Sequence, residues 1–316
     1  LVRKDSEDTS IVVFGSLARD EYTKGSDIDW TLLIDGFADP AQLALTREIG
    51  TVVSGYSAKQ TGPEEVFGTM AFSHDLVHQI GGGDDTNRNT TPRILLLLES
   101  ATVGRTEAYN RVIGDVLNRY LLEDRGFLKP DARYRIPGFL LNDFARYWRT
   151  MAVDFAYKSR TRDRKGFAIR NLKLRMSRKL IYVSGLLNCF TCYVDMNPGE
   201  RKALFSGSDA DRRFAEHFRR RIARTPLETL AGVVLRRPTL SDIARTVFSA
   251  YNEFLGALSD DTVRDELEKL TPDRQELNEN YQRLRVASHA FRDGLLKLFF
   301  DSDSELAELT RMYGLF

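Results

Sequence analysis

One stretch limits the fold more than any other: FGSLARDEYTKGSDIDWTLLIDG, residues Phe14 to Gly36. The apolar run SIVVF ends in Gly15-Ser16, and a second Gly-Ser, Gly25-Ser26, leads straight into Asp27-Ile28-Asp29 at the head of another apolar run. Runs of this length, bounded by glycine and rich in Val, Ile, Leu and Trp, read as buried strands. If Asp27 and Asp29 both lie on the strand, their side chains share a face about 6.5–7 Å apart, while Ile28, Trp30 and Leu32 enter a core. Two such carboxylates resist ionising together. A divalent cation removes the conflict: Mg²⁺ takes hard oxygen ligands, commonly one or two carboxylates together with the phosphates of a substrate. The Gly15-Ser16 turn complements the pair, because glycine lets backbone N–H groups approach an anion. Cradle and acids together suit a nucleoside triphosphate carried on Mg²⁺ or Mn²⁺.

Around this segment the first third mixes strand and helix signals. DPAQLALTREIGTVVSGYSAK opens with an Asp-Pro helix start. TMAFSHDLVHQI reads as a strand or a helix, and GGGDDTNRNTTP as a polar loop. After Pro92 nearly everything reads as helical, from RILLLLESA to ELNENYQRLRVASHAFRDGLLKLFF. The expected architecture is therefore α+β: a small mixed sheet in a domain spanning residues 1–91, followed by a large all-helical region over 92–316.

At this point the sequence resembles the nucleotidyltransferase superfamily of DNA polymerase β type, in which Gly-Ser, a short helix and an acid-x-acid strand follow one another. The resemblance implies two divalent ions clamping an in-line attack on the α-phosphate, with pyrophosphate leaving. It implies that Gly15 and Ser16 hold the triphosphate, with Ser26 and Arg19 counted among the nucleotide contacts, and that Asp27 and Asp29 ligate both metals. Arg19 and Glu21 fall where the family often places a supporting pair; a solvated salt bridge is the other reading. The family adds a third acid on a later strand, as metal ligand and proton acceptor. Asp75 fills that role if its segment is a strand, and is a surface or capping residue if it is a helix; Glu64, Glu65, Asp84 and Asp85 are the fallbacks. His74 and His78 flank Asp75 at helical spacing without a third ligand for zinc.

The run FAIRNLKLRMSRKLIYVSGLL is apolar over most of its circumference and reads as a buried helix. It carries Arg170, Lys173 and Lys179, of which at least one is expected to meet the triphosphate; snorkelling or pairing with a nearby acid is the alternative. The helical region as a whole also resembles the part behind the catalytic domain in bacterial uridylyltransferases and adenylyltransferases that modify nitrogen-regulatory proteins. That likeness implies a protein hydroxyl as acceptor. Oligonucleotide or cyclic-nucleotide synthesis, modification of RNA ends or small molecules, and a degenerate nucleotide-binding module stand as alternatives.

A net charge of +1 over 316 residues gives no global bias towards nucleic acid or membrane. The clusters FRRRIAR and RTRDRK read as solvated faces. No apolar run approaches the roughly 18 residues of a membrane span, so no membrane partner is expected. Cys189 and Cys192 read as half-buried structural thiols in a reducing cytoplasm. The sequence starts at Leu1 without a methionine, and is expected to be a trimmed piece.

Overall fold

A computed structural model describes residues 6–56, 67–122, 124, 135–161 and 166–314. Two compact units emerge: Leu1–Asp131 with Ser208–Thr225, and Ala132–Gly207 with Pro226–Phe316.

The first unit is built on a four-stranded mixed sheet. Its strands are β1 (Thr9–Phe14), β2 (Asp29–Ile34), β3 (Thr69–Phe72) and β4 (Ser100–Val103), in the order β3-β2-β1-β4. β1 runs antiparallel to β2 and to β4, and β2 runs parallel to β3. Along β2 the side chains alternate as the sequence requires. Trp30, Leu32 and Ile34 join Val13 of β1 on one face, where Leu45 and Ile49 cover them. Those two belong to α2 (Pro40–Tyr56), the helix that the Asp-Pro signal predicts; the Asp39 carboxylate caps it by accepting from the Ala41 N–H at 2.8 Å.

The opposite face carries Asp29, Thr31 and Leu33. It is covered further along by α5 (Glu107–Leu122), whose Tyr109 N–H donates to Ser10 Oγ at 3.1 Å. Short α1 (Gly15–Ala18) follows β1, α3 (Ser73–Val77) follows β3, and α4 (Asn87–Leu98) precedes β4. Later in the chain, α11 (Ala210–Ile222) returns to this unit and packs on α5 with Phe214 and Phe218 buried.

The second unit is helical throughout its described residues. It holds α6 (Gly138–Thr161), α7 (Phe167–Arg175), α8 (Ser177–Cys189), α9 (Thr191–Val194) and α10 (Pro198–Leu204) before α11, and after it α12 (Pro226–Leu235), α13 (Ser241–Ser259), α14 (Asp261–Lys269), α15 (Glu279–Phe300) and α16 (Ser304–Leu309). A mixed sheet followed by a large helical region agrees with the expected α+β class.

Four local expectations are revised. First, the sheet extends beyond residue 91, because the LLLLES run ends α4 and then feeds Ser100–Val103 into β4 beside β1. Second, the buried helix around Lys173 is two helices: Met176, at φ −111° and ψ −90°, breaks it between α7 and α8. Third, FRRRIAR is not a solvated face throughout: Arg221 is buried, and Arg219 donates to Asn110 Oδ1 at 2.9 Å. Fourth, both cysteines are fully rather than half buried. Burial pushes the Cys189 thiol well up and the Cys192 thiol up to about 12. Among the described residues, no helix is long and apolar enough to cross a membrane.

Candidate active site

The site forms where β1 and β2 run out of partners. Phe14 is the last residue of β1 and stands in register with Asp29, the first of β2. Beyond Phe14 the chain leaves the sheet for α1, so Asp27 and Ile28 precede the paired strand. Strand alternation therefore places Asp29 but does not govern Asp27, contrary to the expectation that both acids lie on the strand. Asp27 and Asp29 are both half-buried.

Gly15 is what brings the turn to Asp29. Its φ of +68° lies in the left-handed region, which favours glycine. A Cβ added there would sit 3.3 Å from Asp29 Oδ2. The bend and the carboxylate are thus in direct apposition, and a side chain at position 15 would press on the acid by a few tenths of an ångström. Ser16 follows in α1 and anchors the loop through its carbonyl, which accepts from the Glu21 N–H at 2.8 Å.

Arg19 and Glu21 do not form a solvated bridge. Arg19 Nε donates to Glu21 at 2.8 Å and Nη1 donates to Glu99, with the three side chains 9%, 4% and 8% exposed. Arg19 is thereby committed to two carboxylates behind the Gly-Ser loop. Glu99 escapes a reading based on the motif alone, since it lies 70 residues beyond Asp29 and enters only because β4 pairs with β1. Ser26 is buried and closes the turn before Asp27: its Oγ accepts from the Thr23 N–H at 3.1 Å, and its own N–H donates to the Thr23 carbonyl at 2.8 Å.

Asp75 is not on a strand. β3 stops at Phe72, and Asp75 stands exposed in the first turn of α3, where it accepts from Gln79 Nε2 at 3.1 Å. Among the fallbacks, Asp85 is buried against Arg93, whose Nη2 donates to it at 2.8 Å, and Asp84 is exposed. Glu64 and Glu65 lie outside the described residues. Among the described residues, no three His, Cys, Asp or Glu side chains gather as a metal set. The Asp27 and Asp29 carboxylates are hard oxygen donors of the kind that Mg²⁺ takes, and Gly15 stands beside the second of them.

On the Asp29 face, the sheet borders a cavity of about 740 Å³ lined by Phe14, Thr31, Leu33, Phe67, Asp75, Asn89 and neighbouring side chains, so Asp75, though off the strand, stands at the wall of this cavity. Its volume is in the range of a small-molecule site. Phe14 and Phe67 meet with ring centroids 5.2 Å apart, giving one wall an aromatic character.

A family model described as "Nucleotidyltransferase domain" matches residues 1–57. The match spans the Gly-Ser bend, both aspartates and α2. It supports a nucleotidyltransferase enzyme of the superfamily that the Gly-Ser and Asp-x-Asp residues resemble. It ends at residue 57, so the likeness of the helical region to the uridylyltransferases and adenylyltransferases rests on no comparison. A comparison with curated proteins gives no match.

In the helical unit, Arg170 and Lys173 lie on α7 and both have partners. Lys179, on α8, is half-buried and makes no hydrogen bond or ion pair among the described residues.

Proposed function

We propose that the chain is a metal-dependent nucleotidyltransferase that moves a nucleoside monophosphate from a triphosphate to an acceptor hydroxyl. The apposition of Gly15 and Asp29 carries this reading: a left-handed glycine held at the edge of a carboxylate leaves room for a phosphate and a ligand for its cation in one place. Asp27 and Asp29 would hold the divalent ions, Mg²⁺ or Mn²⁺. When bound, such ions offset phosphate charge and favour the ionised form of an attacking hydroxyl.

The acceptor oxygen forms a bond to the α-phosphorus as the bond to the bridging oxygen breaks. Pyrophosphate leaves and the hydroxyl proton passes to solvent or a nearby base. The chain's own residues set the geometry of this exchange. Gly15 brings backbone N–H groups close, and Ser16 continues the turn. Arg19, locked by Glu21 and Glu99, keeps the loop from relaxing away from Asp29. Asp75 is left out as third ligand because of its exposed helical position. The acceptor is taken to be a protein hydroxyl, on the strength of the helical resemblance.

The test is incubation with each labelled nucleoside triphosphate and Mg²⁺ or Mn²⁺, with and without acceptors. Release of pyrophosphate coupled to labelled acceptor, lost in Asp27→Asn/Asp29→Asn, supports the reading. Labelled protein supports the protein acceptor, and oligomeric or cyclic product replaces it. Metal-independent turnover that survives the double substitution overturns the proposal.

A further inference from the structure

The cavity on the Asp29 face has two chemically different ends. At one, Phe14 stands in register with Asp29 and meets Phe67. The next residue, Gly68, ties that segment to β2 by donating its N–H to the Trp30 carbonyl at 2.7 Å. This aromatic end adjoins the Gly15 bend. At the other end, Gln79, Asp84 and Asn89 bring polar groups to the wall. α4 ends just before Ser100, which pairs with Phe14, and Asn89 lies nine residues back from its last residue, about 14 Å along the helix. Between the ends, Thr31 and Leu33 continue the face that Asp29 begins.

The polar end is fixed by groups that only accept. Asn89 Nδ2 donates to the Asp84 carbonyl at 3.2 Å and to Gln79 Oε1. A carbonyl cannot donate, so the Asn89 amide has one orientation and both of its hydrogens are used. Gln79 Nε2 gives one hydrogen to the Asp75 carboxylate at 3.1 Å, which fixes the second amide in the same way. Two capacities are left side by side: the acceptor Asn89 Oδ1, which takes no hydrogen bond among the described residues, and the second hydrogen of Gln79 Nε2. Asp84 adds a carboxylate to the same rim. Arg88 also reaches the rim and is already engaged by a partner.

We propose that this cavity holds the adenine base of the triphosphate, with the 6-amino group on Asn89 Oδ1. The inference rests on the transferase reading for the phosphates at Gly15 and Asp29 and goes beyond it in naming the base. An amide acceptor beside an amide donor is the pairing that recognises adenine, taking a hydrogen from the exocyclic amine and giving one to a ring nitrogen. A base with a carbonyl in the amine's place sets oxygen against Asn89 Oδ1 and the Asp84 carboxylate, leaving acceptors facing acceptors. The purine's flat face suits the Phe14–Phe67 wall, because aromatic side chains stack on bases. The cavity volume, about 740 Å³, leaves room for the ring system and its ribose. Asp75 does not read the base: an asparagine there offers Gln79 the same acceptor oxygen.

The test is equilibrium titration of the full chain, with Mg²⁺, against ATP and against purine riboside triphosphate, which is ATP without its 6-amino group. Wild-type protein is expected to bind ATP about tenfold more tightly or better. Asn89→Leu is expected to erase the difference while keeping a cooperative urea transition. Equal binding of the two triphosphates by the wild type overturns the inference without recourse to any variant, as does a folded Asn89→Leu protein that keeps the preference. Transfer activity that persists beside equal binding leaves the transferase reading standing. A preference for ATP that survives in Asp27→Asn/Asp29→Asn, with no transfer by the wild type, supports the base pocket and removes the transferase reading. Absence of binding by both triphosphates overturns both.

Discussion

Gly15 and Asp29 are fitted to each other: one takes a backbone conformation that other residues resist, and a Cβ there would stand 3.3 Å from a carboxylate oxygen, a tight contact. Gly15→Ala is expected to cost about 1 kcal/mol or more of stability from the left-handed φ, read by urea unfolding, and to weaken metal-dependent triphosphate binding. On the proposed reading, Asp29→Asn removes a metal ligand without changing shape. Its expected loss is about 10³-fold in transfer rate, if the metal's contribution is about 4 kcal/mol. Asp75→Asn, at an exposed helical position, is expected to transfer at the wild-type rate in the same assay. At the cysteines, the chemistry is one of protection. A thiol pushed to about 12 has almost no thiolate at pH 8. Native protein is therefore expected to leave Cys189 and Cys192 unalkylated by iodoacetamide, while denatured protein is labelled at both, as counted by mass spectrometry.

Among elements, α3, α4 and α5 are held by one arginine. Arg93 is fully buried; its guanidinium grips both oxygens of Asp85, donates to Tyr120 Oη at 2.8 Å and reaches the Leu76 carbonyl at 3.4 Å. Arg93→Met leaves the Asp85 carboxylate buried without its guanidinium, and is expected to cost about 3–5 kcal/mol, seen as a lower urea midpoint. This clamp was partly legible beforehand. A single arginine heading the run RILLLLES must either reach water or find an acid. Which acid it finds depends on how the GGGDD loop folds back, and the spacing does not say. The same limit explains Asp75: its segment fits both periods, and β3 ends at Phe72, where the pairing with Ile34 at the end of β2 also stops.

At the level of the whole chain, the first unit is not contiguous. α11 returns after an excursion of more than 70 residues and buries Phe214 and Phe218 on the side of α5. Truncating one buried phenylalanine typically costs about 3–5 kcal/mol. A fragment covering residues 1–131 is therefore expected to be far less stable than the intact chain, measured by far-ultraviolet circular dichroism during thermal unfolding, with stability regained when residues 208–225 are supplied as a tethered segment.

Local chemistry, written in consecutive residues, determined the strand-turn-strand unit around Gly15 and Asp29, the helix at Pro40 and the helical character of the later chain. Each depends on periodicity, glycine or a cap within a few positions. Tertiary structure alone decided the rest. It joined Glu99 to Arg19, Asp85 to Arg93, α11 to the sheet unit and His289 to Arg175. The reason is physical: these groups are 8 to 114 residues apart, and the loops and helix pairings that bring them together are set by burial over the whole core, a sum that no single segment contains.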